Sequence, residues 1–359
     1  MKRILIVNNN LEAGGAERQL FYITRNLIKT SHVEFLVLEK KGEFVKRLEE
    51  LGVKISIAAS KKGWKLSREI RKYALKGNFN IVLAFLPTCN LACELSTLPI
   101  KRHKVYAGAR NANPDFITNK KYRLYYWAHL LSDGVISNSE KNKEDILQIN
   151  KLINPEKIHV VRNILPDISI DTTSAAQESD SPIRIAVAAN YRPQKNLLSV
   201  LQAILSSRES ITGKIFIDWY GLPIGTDYEK GRTFIKEHSL ESIINLNPPT
   251  NDVLSKYAEA DVVGLFSLFE GFPNSICEAI LMGKMVITTP VSDIPMLLEG
   301  TQNILCASAD SRDIAESLLM LSTMSKQKIA EVGTANKENY AYMFKEQNII
   351  QQIEQIVKP

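Results

Sequence analysis

The sequence predicts an α/β protein of two successive domains, each a parallel sheet with helices on both faces. Three observations carry that expectation. Short, nearly continuous apolar runs alternate with amphipathic helical patterns along most of the 359 residues, as strands covered on both faces by crossover helices require. The alternation lapses over residues 166–182, where Ser, Thr and Asp replace the apolar periodicity and mark a linker. Charge divides at the same place: residues 1–165 hold 29 Lys+Arg against 15 Asp+Glu, a net +14, and the remainder 16 against 24, a net −8.

The first domain opens with an apolar strand from Lys2 to Asn8 and a glycine loop, residues 10–18, that starts a helix running to about Lys29. Leu20, Ile23, Leu27 and Ile28 fall on one face of that helix. Gly14 and Gly15 allow the backbone to approach a ligand with no Cβ in the way, and a tight turn without a ligand is an equal reading. The loop is not Gly-x-Gly-x-x-Gly, so a nicotinamide dinucleotide is not expected. Further strands follow at Val33 to Leu38, Val53 to Ile57, Ile81 to Phe85, Lys104 to Ala109 and Gly134 to Ser137, with helices between them. The fourth of these ends in Ala107-Gly108-Ala109-Arg110-Asn111-Ala112-Asn113, which delivers an Arg and two Asn to the ligand-binding edge of the sheet, although packing or loop capping explains Arg110 or Asn111 taken alone.

Basic residues concentrate in this half. The helix around residues 61–73 carries Leu66, Ile70 and Tyr73 on one face and Lys or Arg on the other, beside Trp64. Lys101-Arg102-His103-Lys104 and Lys120-Lys121-Tyr122-Arg123 add to it. An ordinary solvated helix face explains each alone; together they suggest an anionic partner, such as a membrane surface. No helix-turn-helix, zinc-finger or RNA-binding signature accompanies the charge, so nucleic acid is not expected.

The second domain resumes the alternation at Ile183 to Ala189, Lys214 to Tyr220, Ile243 to Leu246, Asp261 to Phe266 and Met285 to Thr289. Its first strand leads into Asn190-Tyr191-Arg192-Pro193-Gln194-Lys195, where Lys195 is a point charge suited to a phosphate and Arg192 a fork-shaped donor. Residues 269–280, Phe-Glu-Gly-Phe-Pro-Asn-Ser-Ile-Cys-Glu-Ala-Ile, sit where a strand hands over to a helix, the position at which open α/β sheets bind ligands. Pro273 suits the first helical turn, Asn274 or Ser275 can cap it, and the free amides favour an anion. Glu270 on the loop and Glu278 on the helix are acceptors for the paired hydroxyls of a sugar or ribose.

The Glu270 and Glu278 spacing around Gly271-Phe272-Pro273, followed by Met282-Gly283-Lys284-Met285-Val286-Ile287, resembles the donor site of the retaining family-4 (group 1) glycosyltransferases of GT-B fold. The Gly-Gly-Ala-Glu turn after the first strand matches the same family. The resemblance implies two facing Rossmann-like domains (GT-B), a nucleoside-diphosphate sugar as donor, and no cofactor. It implies that Glu270 and Lys195 act at the reacting end. Donor binding then falls to Glu278, Gly14, Gly15, Arg192, Gly271, Phe272, Pro273, Asn274 and Ser275. Arg110 and Asn111 are acceptor-side candidates, although the His often present in that loop is missing. Family members commonly carry Gly-Arg before the lysine, whereas Asn190 stands where that Arg would fall and Arg192 is displaced by two.

The expected organisation is an acceptor-side domain at 1–165, the linker at 166–182, a donor domain at 183–340, and a last helix at 341–359 that crosses back to the first domain, with a terminal helix packed on its own domain as the competing view. Four cysteines and five histidines form no metal spacing and no Asp-x-Asp is present, so no metal site is expected. The short amino-terminal apolar run and the lack of a spanning segment point to a cytoplasmic protein, peripheral on the inner face of the membrane. The function these readings converge on is transfer of a sugar to a glycan or polyprenyl-linked acceptor in cell-surface polysaccharide synthesis. A sugar-nucleotide epimerase or hydrolase on the same fold is the alternative enzyme, and a non-catalytic nucleotide-sugar-binding subunit the alternative outside catalysis.

Overall fold

The computed structural model describes residues 2–12, 14–110, 113–165, 168, 181–340 and 342–358. The chain forms two compact units, residues 1–164 with 344–359, and residues 165–343. The linker expected at 166–182 and the candidate Asn111 lie almost wholly outside the described residues. By these units the first holds 31 Lys+Arg against 17 Asp+Glu and the second 14 against 22, so the charge contrast of +14 and −8 is unchanged.

In the first unit seven parallel strands, β1 (Lys2–Asn8), β2 (Ser31–Val37), β3 (Lys54–Ile57), β4 (Ile81–Ala84), β5 (Lys104–Ala109), β6 (Gly134–Ser137) and β7 (Ile158–Val160), lie in the order β3-β2-β1-β4-β5-β6-β7. Alternate residues of the central strands supply two cores, as the two-residue period of a strand dictates. Ile4, Ile6, Phe35, Ile81 and Leu83 pack on one face with Leu20 and Ile23. Leu5, Val7, Leu36, Val82 and Val105 pack on the other with Leu66, Ile70 and Cys93. Strands this apolar on both sides are stable only when helices cover both faces.

The chain end joins this unit. Ile349, Ile353 and Val357 belong to the same core as Ile4 and Leu20. Arg25 Nη2 donates to both carboxylate oxygens of Glu346 at 2.8 Å, and Lys2 Nζ donates to the Val357 carbonyl at 3.0 Å. The end of the chain forms two helices, Lys326–Tyr340 and Glu346–Ile356. The first stays with the second unit, held by the Tyr340 hydroxyl donating to the Leu297 carbonyl.

The second unit contains β8 (Ile183–Ala188), β9 (Ile215–Tyr220), β10 (Ile244–Asn247), β11 (Val262–Leu265), β12 (Met285–Thr288) and β13 (Ile304–Leu305), all parallel, in the order β10-β9-β8-β11-β12-β13. Counted within the unit this is the 3-2-1-4-5-6 order of a doubly wound sheet, whose connections reverse direction between the first and fourth strands. That reversal sets β8 beside β11. The loops leaving their carboxyl ends therefore emerge side by side, which positions the site.

Candidate functional site

β8 runs out into Ala189–Arg192 and a 3-10 turn at Pro193–Lys195, closed by Asn196 in the left-handed region at φ 65°. Asn tolerates that conformation better than other residues with a side chain, and its Nδ2 donates to the Ala309 carbonyl at 2.8 Å. β11 runs out into Phe266–Gly271. Gln194 joins the two loops: its carbonyl accepts from the Leu268 amide at 2.8 Å and its Nε2 donates to the Phe269 carbonyl at 2.7 Å. Beside this clamp, Lys195 Nζ donates to Glu270 Oε1 at 2.5 Å, and Ser267 Oγ donates to the same oxygen at 2.6 Å. Among the described residues no hydrogen bond engages Glu270 Oε2.

The side chains of Lys195 and Glu270 are 21% and 13% exposed, so the pair is reachable by a ligand yet sheltered enough for its hydrogen bonds to be strong. The loop is braced from behind. Thr289 Oγ1 donates to the Ser267 carbonyl at 2.7 Å, and Ser292 Oγ donates to the Gly271 carbonyl at 2.8 Å. Phe272 and Glu278 are buried, at 6% and 5% exposure. The helix after the turn spans Asn274–Leu281 and Glu278 lies within it.

One expectation about this turn is corrected. Pro273 is the residue before the helix, at φ −83° and ψ 76°, and no side chain caps the amides behind it. Asn274 is the first helical residue, so neither it nor Ser275 is the cap. Gly283 ends the helix at φ 72°, a left-handed terminus that favours glycine. Lys284 next to it is buried and donates to the carbonyls of Ala258 and Ala260 at 2.8 and 2.7 Å. It closes the carboxyl end of the preceding helix, Val253–Glu259, and is structural.

Other candidates fall elsewhere. Arg192 is exposed at the start of the 3-10 turn. Gly15 opens the helix Gly15–Leu27, with Gly14 as its cap residue. A Cβ on Gly14 would come within 2.2 Å of Glu17 Oε2, so glycine there makes room for the helix's own carboxylate. Burial raises the Glu17 pKa, against the pull of its backbone hydrogen bond and of Asn8 Nδ2, which donates to Oε1 at 3.3 Å. Arg110 follows β5 with its guanidinium 4.2 Å from the centre of the Phe85 ring. Sequence reading missed Gln194, Ser267 and Thr289. Polar residues at strand ends are their only signal, and strand ends carry such residues with or without a site.

With this geometry in view, the comparisons with known proteins divide the chain as its structure does. The profile described as Glycosyltransferase Family 4 matches residues 13–166, and that described as Glycosyl transferases group 1 matches residues 182–323. The chain belongs to the family-4, group 1 glycosyltransferases of GT-B fold. A relative from Salmonella typhimurium, provisionally named colanic acid biosynthesis glycosyltransferase WcaL, is 27% identical over 213 residues, 57% of this chain. The match spans about half of that relative, 52% of its length. An uncharacterized glycosyltransferase of Haemophilus influenzae is 21% identical over 334 residues, 89% of this chain and 90% of the relative. Among solved structures, Anabaena Alr3699/HepE in complex with UDP and glucose aligns with a TM-score of 0.82 over 99% of both chains at 16% identity. A lipopolysaccharide outer core galactosyltransferase, WaaB, aligns at 0.76 over 99% of both, also at 16% identity. Likeness at this identity speaks for the fold of this family member.

Proposed function

We propose that the chain is a retaining glycosyltransferase that moves a sugar from a nucleoside diphosphate to a hydroxyl of a glycan or lipid-linked acceptor in cell-surface polysaccharide synthesis. The observation that carries this reading is the Lys195–Glu270 pair at the point where the second sheet reverses direction, with one carboxylate oxygen left for a ligand. Glu270 Oε2 accepts a hydroxyl of the donor sugar. Lys195, held by the same carboxylate, turns its remaining protons to the diphosphate as negative charge develops on the leaving oxygen, where a fixed donor stabilises the transition state most. The bond from the anomeric carbon to the diphosphate breaks, the acceptor oxygen bonds on the same face, and its proton passes to the leaving phosphate. Glu278 takes the ribose hydroxyls. Gly14, Gly15, Arg192 and the turn at Gly271, Phe272, Pro273, Asn274 and Ser275 complete donor binding. With no Asp-x-Asp in the sequence, the reading assigns no metal to the step.

The Salmonella relative supports a polysaccharide product, and the UDP complex of the Anabaena neighbour makes uridine diphosphate sugars the first donors to try. A thermal-shift screen over nucleoside-diphosphate sugars tests the proposal. A true donor at a hundred times its Kd stabilises the folded protein by about 2.7 kcal/mol. A flat response to every donor would sink the reading.

The same reading sets the first unit against an anionic membrane at the cytoplasmic face. Its net charge of +14 supports this, as do Trp64 at 53% exposure and the outer stripe of the helix Lys120–Ala128, with Leu124 and Trp127 exposed beside Arg123. Binding to phosphatidylserine vesicles weakens as salt rises; binding that ignores salt, or none, counts against it.

A further inference from the structure

We propose that Arg110, with Phe85 and Asn163, forms an oxyanion-binding subsite in the first unit that holds a phosphate or carboxylate carried by the acceptor. The three residues follow the carboxyl ends of β5, β4 and β7, the edge at which parallel sheets take ligands. The platform is built from the backbone upward. A Cβ on Gly108 would lie 2.3 Å from the Phe85 ring, so the absence of one lets the ring lie across the sheet there. Two residues on, Arg110 emerges on the same side and its guanidinium lies 4.2 Å from the ring centre. Nη1 donates to Asn163 Oδ1 at 2.6 Å, and Asn163 is itself 4% exposed. A stacked, tethered guanidinium presents its remaining edge in one orientation, which is what two-point recognition of an oxyanion needs.

Among the described residues that edge has no partner. Arg110 Nε is enclosed and without an acceptor, although the residue as a whole keeps some exposure. Among the described residues no carboxylate pairs with it. Burial lowers its pKa to about 9, which still leaves it cationic at neutral pH. Two other sheltered cations are compensated, Lys284 by two carbonyls and Lys195 by Glu270, whereas Arg162 Nε, like Arg110 Nε, is enclosed without an acceptor. A buried cation lacking a counter-charge is strongly unfavourable, and an apolar residue of similar volume would serve packing better. The arrangement makes sense when an anion completes it.

The identity of the anion's carrier rests on the glycosyltransferase reading; the anion site does not. The Arg110 Nε–H resonance is followed by NMR in the full-length protein while inorganic phosphate, then glucuronate, is titrated at constant ionic strength. The resonance is expected to shift with saturation, and whichever anion binds more tightly distinguishes a phosphate-bearing from an acidic-sugar acceptor. In Arg110→Met the binding is lost while the anion-free Tm stays level or rises. In Arg110→Lys, which keeps charge but not the fork, affinity falls about tenfold. The subsite is overturned if neither anion moves the resonance, or if Arg110→Met binds as the wild type does. It is equally overturned if Arg110→Met lowers Tm by as much as losing a packed, hydrogen-bonded core group would. Donor stabilisation retained in Arg110→Met assigns the anion to the acceptor, and its loss transfers the site to the donor diphosphate and removes the acceptor assignment. If no nucleotide sugar binds yet phosphate still shifts the resonance, the transferase reading fails and the anion site stands.

Discussion

Lys195 in the second unit and Arg110 in the first are both cations just past the carboxyl end of a parallel strand, and they are treated oppositely. Lys195 shares Glu270 Oε1 with Ser267 and sits on a loop clamped by Gln194. Arg110 has an aromatic ring and one amide oxygen, and among the described residues no counter-charge. A pre-paired cation costs little to maintain without ligand and is positioned by its partner. An unpaired one keeps its full electrostatic pull for whatever arrives, at the expense of folded-state stability. The overall charges run the same way, the first unit basic and the second acidic.

The sharpest way to break the comparison is Glu270→Ala. Transfer is expected to fall on the order of a hundredfold or more. Stability should change by only about 1 kcal/mol, since the pair is partly exposed. Unimpaired turnover, measured by release of nucleoside diphosphate, would remove the site from the second unit. Next in size are two glycine substitutions. A Cβ on Gly333 would lie 2.0 Å from the Gly283 carbonyl oxygen, so Gly333→Ala should push the helix Lys326–Tyr340 off the turn that follows the Glu278 helix. A loss of about 1–3 kcal/mol is expected, read as a lower denaturant midpoint. Gly108→Ala should cost a similar amount in the first unit but also weaken phosphate binding at Arg110, which Gly333→Ala leaves alone. Equal anion binding in both would separate the platform from the subsite.

The smallest expected effect is a pH dependence in the first unit. The Glu17 pKa is raised in the folded protein, mainly by burial. Its contribution to stability is therefore fully present below the ordinary carboxyl value and lost as pH rises through the folded value. Glu17→Gln should flatten that part of the stability profile relative to wild type, and a parallel pair of profiles would show that Glu17 does not titrate there.

The alternating pattern made most strands and helices legible, because a strand buried on both faces and an amphipathic helix each leave a period in the sequence. It failed where elements are too short to show one. β7 and β13, at three and two residues, escaped notice. Pro273 was placed one step too deep, since a proline fits both before a helix and at its first turn, and only the backbone angles separate the two. Gln194 carried no signal because its role lies in two hydrogen bonds to a loop some 75 residues away.

By itself the sequence determined the α/β class, the two alternating series, and the chemical types at the turn around Glu270, because these depend on local periodicity and on neighbours along the chain. The tertiary structure alone decided which loops meet. Pairing β8 with β11 brought Lys195 to Glu270 across 75 positions, and the missing Cβ of Gly108 let Phe85 carry Arg110. Strand order and close packing are contacts between distant segments, fixed by what the whole sheet can bury and not by anything written beside the residues concerned.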